Sequence, residues 1–146
     1  MKSEEKTSED REMIYDPIRE SWVADAPEER VRQAVTHFLV EKLGYPRGRL
    51  GNEYTIRVGK VSRRCDTVVF DPRLRPLMVI EYKAPSVKLN DQVVTQIFNY
   101  NSVLLVPVLV ITNGKNFVIF KVGYGGEKTV TLDRLPTYQE LLSLGV

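Results

Sequence analysis

The stretch Cys65–Pro85, CDTVVFDPRLRPLMVIEYKAP, limits what this chain can fold into more than any other. Two runs rich in β-branched and aromatic residues, CDTVVFD and LMVIEYK, flank a segment that holds Pro72 and Pro76. Runs of that composition read as strands. Proline breaks a regular ladder, and Asp71-Pro72 favours a turn, so a hairpin is predicted. If it closes symmetrically about Arg73 and Leu74, paired residues have numbers summing to 147. Asp71 then faces Pro76, and Asp66 faces Glu81. Directly paired side chains share one face of a sheet, about 5 Å apart. Alternation along the strand adds Lys83 to that face. A bulge would shift the register by one residue and move Asp66 to the other face.

Two carboxylates that close repel unless something positive lies between them. Oxygen ligands of this kind suit a hard divalent cation, Mg²⁺ or Mn²⁺. A lysine two residues from one ligand can hold or deprotonate a water beside the ion, a combination suited to metal-assisted hydrolysis of a phosphodiester. The spacing alone also fits an ordinary cross-strand polar pair with a lysine salt bridge. The apolar strands around the charges favour the first reading, because charges are rarely placed mid-strand without partners.

Asp66, followed after fourteen residues by Glu81-Tyr82-Lys83, resembles the PD-(D/E)xK nuclease core. The longer string RRCDTVVFD…PLMVIEYKAP resembles the N-terminal nuclease domain of type I restriction enzyme R subunits, and the small stand-alone proteins carrying it. DPIRESWV, PEERVRQ, GYP, IEYKAP, the Gln96-xxx-Tyr100 pair and ITNG follow in the family's order, over roughly residues 14–140. Cys65, where a small residue is common, and Tyr82, where cysteine or valine is usual, depart from the pattern without touching a ligand position. The resemblance implies an α/β (α+β) fold of the restriction-endonuclease-like type: a mixed β-sheet flanked by helices with an αβββαβ core. It implies a Mg²⁺-dependent DNA endonuclease in a restriction or defence setting. Asp66, Glu81 and the backbone carbonyl of Tyr82 then hold the metal, Lys83 orients or activates the water, and Gln96 and Tyr100 border the site. An acidic residue of the first helix is implied as a further ligand. Glu29 shares a ridge with Gln33, whereas a helical wheel puts Glu28 nearer the apolar stripe; Glu29 is favoured, beside the reading in which an N-terminal charge serves only the helix dipole. The chain has no G-x-x-x-x-G-K-[ST] motor motif, so DNA is expected to arrive by intrinsic affinity or through a recruiting protein. The alternative is a non-catalytic DNA- or protein-binding subunit that keeps the fold.

At 146 residues, 42% hydrophobic and 27% charged, the chain reads as one soluble domain. Residues 1–13, charged and without periodicity, read as a flexible tail, and 14–146 as the domain. One cysteine excludes an internal disulfide framework and fits a cytoplasmic setting. The longest apolar run, VLLVPVLVI, is too short to span a bilayer. Net charge is +2, but residues 42–88 hold 11 basic and 4 acidic residues, a local field that favours a phosphate backbone. Helices are predicted over 27–43 and 90–105, with a short one over 137–144. Strands are predicted over 53–58, in the hairpin, over 106–112 and 116–122, and near 129–132. GYPRGRLGN reads as a loop. His37, the one histidine, reads as structural.

Overall fold

The structure, a computed structural model, describes residues 7–8 and 11–145. In chain order the elements are β1 (Thr7–Ser8), β2 (Arg11–Asp16), β3 (Ser21–Ala24), α1 (Pro27–Lys42), β4 (Leu50–Val58), β5 (Val61–Phe70) and β6 (Pro76–Tyr82). Then follow α2 (Asp91–Ser102), β7 (Val108–Thr112), β8 (Phe117–Lys121), β9 (Val130–Leu132) and α3 (Tyr138–Leu144). The fold is mixed α+β, with a mostly antiparallel sheet. Strands β4 to β9 lie side by side in chain order, and only β6 and β7 run parallel. A parallel pair needs a crossover, and α2 supplies it. From α1 to β7 the elements read α-β-β-β-α-β, the expected order.

The alternation of β6 and β7 divides the core. Met78, Ile80, Tyr82, Val108 and Val110 point to the side covered by α1 (Val31, Val35, Leu39) and α3 (Leu141). Val79 and Leu109 point to the other side, where Leu104 and Phe98 close over them. β7 is buried at every position, as its continuous apolar run predicts. Pro27 and two glutamates start α1, the residues that suit a helix N-terminus. The side chain of Asn90 caps α2 by accepting from the Val93 amide at 2.9 Å.

Four boundaries differ from the sequence reading. Ile14 to Trp22 is a hairpin of β2 and β3 turning through Pro17–Glu20, and Tyr15 packs edge-on against Trp22. Residues 11–13, expected in the tail, belong to β2, paired from Met13 with Ala24; residues 1–6 and 9–10 lie outside the described residues. β4 starts at Leu50, inside the expected loop, because Gly51 and Asn52 interrupt the alternation without interrupting the ladder. α2 ends at Ser102, and Leu105 takes a φ of 60°. In the β5–β6 turn, Phe70 rather than Asp71 faces Pro76. The Asp71 carboxylate instead accepts from the Arg73 and Arg75 amides at 2.8 and 2.9 Å, and this tightens the turn.

Candidate active site

The hairpin body keeps the expected register: Thr67↔Ile80, Val68↔Val79 and Val69↔Met78. Its irregularity lies between Val69 and Phe70, on the turn side, so Asp66 is not displaced. Beyond Thr67↔Ile80 the two strands part. β5 continues with β4 as far as Val58↔Val61, while β6 continues with β7 to Tyr82↔Thr112. The sheet therefore forks, and the residues at the fork are Asp66, Glu81, Tyr82 and Lys83. The Tyr82 amide, released from β5, donates to Asp66 Oδ2 at 2.9 Å. The Asp66 and Glu81 carboxyls share a hydrogen bond. Lys83 is half-buried; its amide continues the ladder to the Thr112 carbonyl at 2.8 Å. The Lys83 ammonium acts on Glu81 through its charge and is not tied into an ion pair among the described residues.

α1 holds the fork from the opposite face. Arg32, 7% exposed, donates to the Asp66 carbonyl at 2.5 Å, to Glu53 Oε2 at 2.7 Å and to Glu29 Oε1 at 3.1 Å. Its guanidinium lies 5.6 Å from the centre of the Tyr82 ring, a cation–π distance. Glu53, opposite Asp66 in register, has a φ of 55° and drops out of the ladder, which frees the Asp66 carbonyl for Arg32. A second chain of bonds runs beside the first. The Tyr82 hydroxyl donates to Thr67 Oγ1 at 3.0 Å, Thr67 donates to Asn52 Oδ1 at 2.7 Å, and the Asn52 amide reaches Asp16. Arg19 joins Asp16 to Glu29.

Glu29 accordingly meets Arg19, Arg32 and the Gln33 amide. It is buried and Glu28 exposed. It sits on the α1 side, however, where its charge is matched by two guanidiniums, and not beside Glu81. The site reached from α2 also differs from expectation. Asn101, 1% exposed, hydrogen-bonds Glu81, and its Oδ1 is buried without a partner among the described residues. Gln96 lies about 140° round the helix from Asn101 and is exposed. Tyr100 is 50% exposed and carries Arg63 over its ring at 4.4 Å. The four-residue spacing puts Gln96 and Tyr100 on one ridge, but the packing of Phe98 on Phe120 decides which ridge meets the sheet. Asn101 and Arg32 were not legible as site residues. The only available signal was that both are polar residues on the apolar stripe of a helix.

Burial raises the Asp66 carboxyl above the ordinary range, against the pull of the Tyr82 amide and Arg32. Burial, then the charge and hydrogen bond of Asp66, push Glu81 up to about 8; Asn101 and Lys83 oppose this. Near neutral pH the pair thus keeps a proton, shared through the hydrogen bond between the two carboxyls. A carboxyl raised in the folded state binds its proton more tightly there than in the unfolded chain. Its contribution to stability is complete below pH 4.5 and is lost as pH rises toward about 8. Chemical denaturation from pH 5 to 8.5 without metal is therefore expected to show wild type losing about 2 kcal/mol relative to Glu81→Gln, after allowance for solvent screening. A parallel pH response of the two proteins would refute the shared proton.

The donors are hard oxygens, and two carboxyls forced to share a proton are a pair that a cation can replace it for. Among the described residues no third acidic, histidine or cysteine side chain completes a metal cluster. The remaining positions are then left to backbone carbonyl, water and substrate oxygens, as Mg²⁺ sites commonly have them. The residues fit such an ion.

Residues 27–136 match the family described as Type I restriction enzyme R protein N terminus (HSDR_N). The chain belongs to that family. The HSDR_N domain is similar in fold to a fragment assigned as an HsdR subunit of a type I restriction enzyme from Vibrio vulnificus YJ016, with a TM-score of 0.60 and 22% identity. That similarity covers 82% of this chain and 25% of the other, so the domain spans about a quarter of its relative's length. No curated protein sequence matches the chain. Among the described residues no helix is long and apolar enough to cross a membrane.

Proposed function

We propose that this HSDR_N domain is a metal-dependent endonuclease of a restriction system, with a restriction-endonuclease-like PD-(D/E)xK centre acting on DNA. The observation that carries the reading is the convergence of Asp66 and Glu81 at a fork in the sheet, with the Lys83 ammonium acting on Glu81 through its charge. Asp66, Glu81 and the Tyr82 backbone carbonyl are the residues to hold Mg²⁺ or Mn²⁺. When bound, the ion supplies positive charge for the phosphoryl oxygens and lowers the pKa of a water. Asn101 and the Tyr82 amide fix the rotamers of Glu81 and Asp66. Lys83, without an ion pair among the described residues, can hold the attacking water as the ammonium or take its proton as the neutral amine. Family membership supports the restriction setting, and the local excess of basic residues supports a phosphodiester substrate. Gln96 and Tyr100 stand off the carboxylates, so any part they take is in contacting DNA.

Mn²⁺ calorimetry in buffers of different ionisation enthalpy tests the metal site. Carboxylates must be deprotonated to bind, so about one proton is expected to leave per ion at pH 6.5 and close to none at pH 9. Asp66→Asn is expected to weaken binding tenfold or more. Equal Mn²⁺ affinity in the two proteins, or binding without proton release at pH 6.5, would count against the site.

A further inference from the structure

We propose that residues 54–65, the part of the β4–β5 hairpin beyond the fork, form an arm that grips the sugar-phosphate backbone of a DNA duplex. The inference takes its partner class from the nuclease reading, but it rests on separate residues. β4 is the terminal strand of the sheet, and β5 and β6 are paired only from Thr67 onward, so neither edge of the arm is paired among the described residues. One face is seated on α2: Ile56 and Cys65 are buried there with Val58 and Val61 beside them. Arg63 fastens the arm, with its guanidinium over the Tyr100 ring and Nε donating to the Tyr100 carbonyl at 3.4 Å.

The other face carries Thr55 opposite Arg64 and Arg57 opposite Ser62, all four exposed. Lys60 follows Gly59 in the turn, where a φ of 59° suits glycine. From Tyr54 to Cys65 there are four basic residues and no acidic one. Arg64 is tethered at the root by Glu53 Oε1 at 2.9 Å, while Arg57 and Lys60 have no side-chain partner among the described residues. Basic residues on an edge also discourage strand pairing, but any charge does that. Here guanidiniums alternate with hydroxyls across two strands, the donors that commonly contact phosphate oxygens. A two-stranded ribbon also matches a major groove about 12 Å wide. The arm's root is Asp66 itself, so a duplex held along it leads to the carboxylate pair. Contacts of this kind position a duplex without reading its sequence.

The test is fluorescence anisotropy with unrelated duplexes in EDTA across a series of KCl concentrations. Wild type is compared with Arg57→Gln/Lys60→Gln/Arg64→Gln and with a charge-matched control, Lys42→Gln/Arg73→Gln/Lys115→Gln. The arm variant is expected to bind about tenfold or more weakly at low salt, with a log–log salt slope shallower by about 2 to 3. The control is expected to stay near wild type, and Arg57→Gln alone to flatten the slope by about 0.9. Arm and control variants that behave alike, or wild-type binding with a flat salt response, would overturn the arm. Because EDTA removes catalysis from the measurement, that outcome leaves the nuclease reading standing. A loss of Mn²⁺-dependent cleavage chemistry would in turn leave the arm result standing.

Discussion

Arg32→Met is expected to destabilise the protein by about 3–5 kcal/mol, the cost of removing one partner from a buried ionic network. Arg32 satisfies Glu29, Glu53 and the Asp66 carbonyl at once, and it is among the most buried charged residues of the domain. Methionine fills most of its volume but leaves two carboxylates without their shared cation and a buried carbonyl without a donor. Glu29 keeps Arg19 and Gln33, and Glu53 keeps Arg64, which places the loss toward the lower end of that range. Urea denaturation of wild type and variant measures it. A change of less than about 1 kcal/mol would mean that the network relaxes around water and does not brace the fork.

Asp66→Asn is expected to do the reverse, leaving the fold intact and removing the chemistry. Asparagine is nearly isosteric, and its Oδ1 can still accept from the Tyr82 amide. Without the Asp66 charge, Glu81 loses the second-largest cause of its raised pKa. The metal-free variant should therefore be as stable as wild type, or about 1 kcal/mol more stable near pH 8. Cleavage should fall on the order of a thousandfold, since one of the two proposed side-chain ligands is gone. Sites that hold like charges together commonly cost stability in this way. A variant that cleaves at the wild-type rate, or that unfolds, would assign Asp66 a structural role instead.

The fork was legible in part because its causes are local. Alternating β-branched residues and a turn containing two prolines determine which residues of β5 and β6 face one another, and Asp66 opposite Glu81 follows from them. The parting of the strands is not local. It depends on Glu53 leaving the ladder and on Arg32, thirty-four positions away in sequence, taking the Asp66 carbonyl. Apart from its place on the apolar stripe, nothing in the pattern around Arg32 distinguishes it from a surface arginine until α1 is laid on the sheet. The same holds for Asn101, whose contact with Glu81 in place of Gln96 depends on the rotation of α2 about its axis. The β2–β3 hairpin was obscured by charged residues and Pro17, and its Asp16 and Arg19 tie it to Asn52 and Glu29. A segment stabilised by buried ion pairs does not show the apolar periodicity from which strands are read.

In the proposed function Asp66, Glu81 and Lys83 form one metal-dependent hydrolytic centre. Nicking of supercoiled plasmid at low salt tests it most directly, with Mn²⁺ or EDTA, for wild type beside Lys83→Ala. Wild type is expected to nick only with Mn²⁺, and Lys83→Ala to lose on the order of a hundredfold or more with its melting temperature retained. Nicking that persists in EDTA, or that is equal in the two proteins with Mn²⁺, would contradict it.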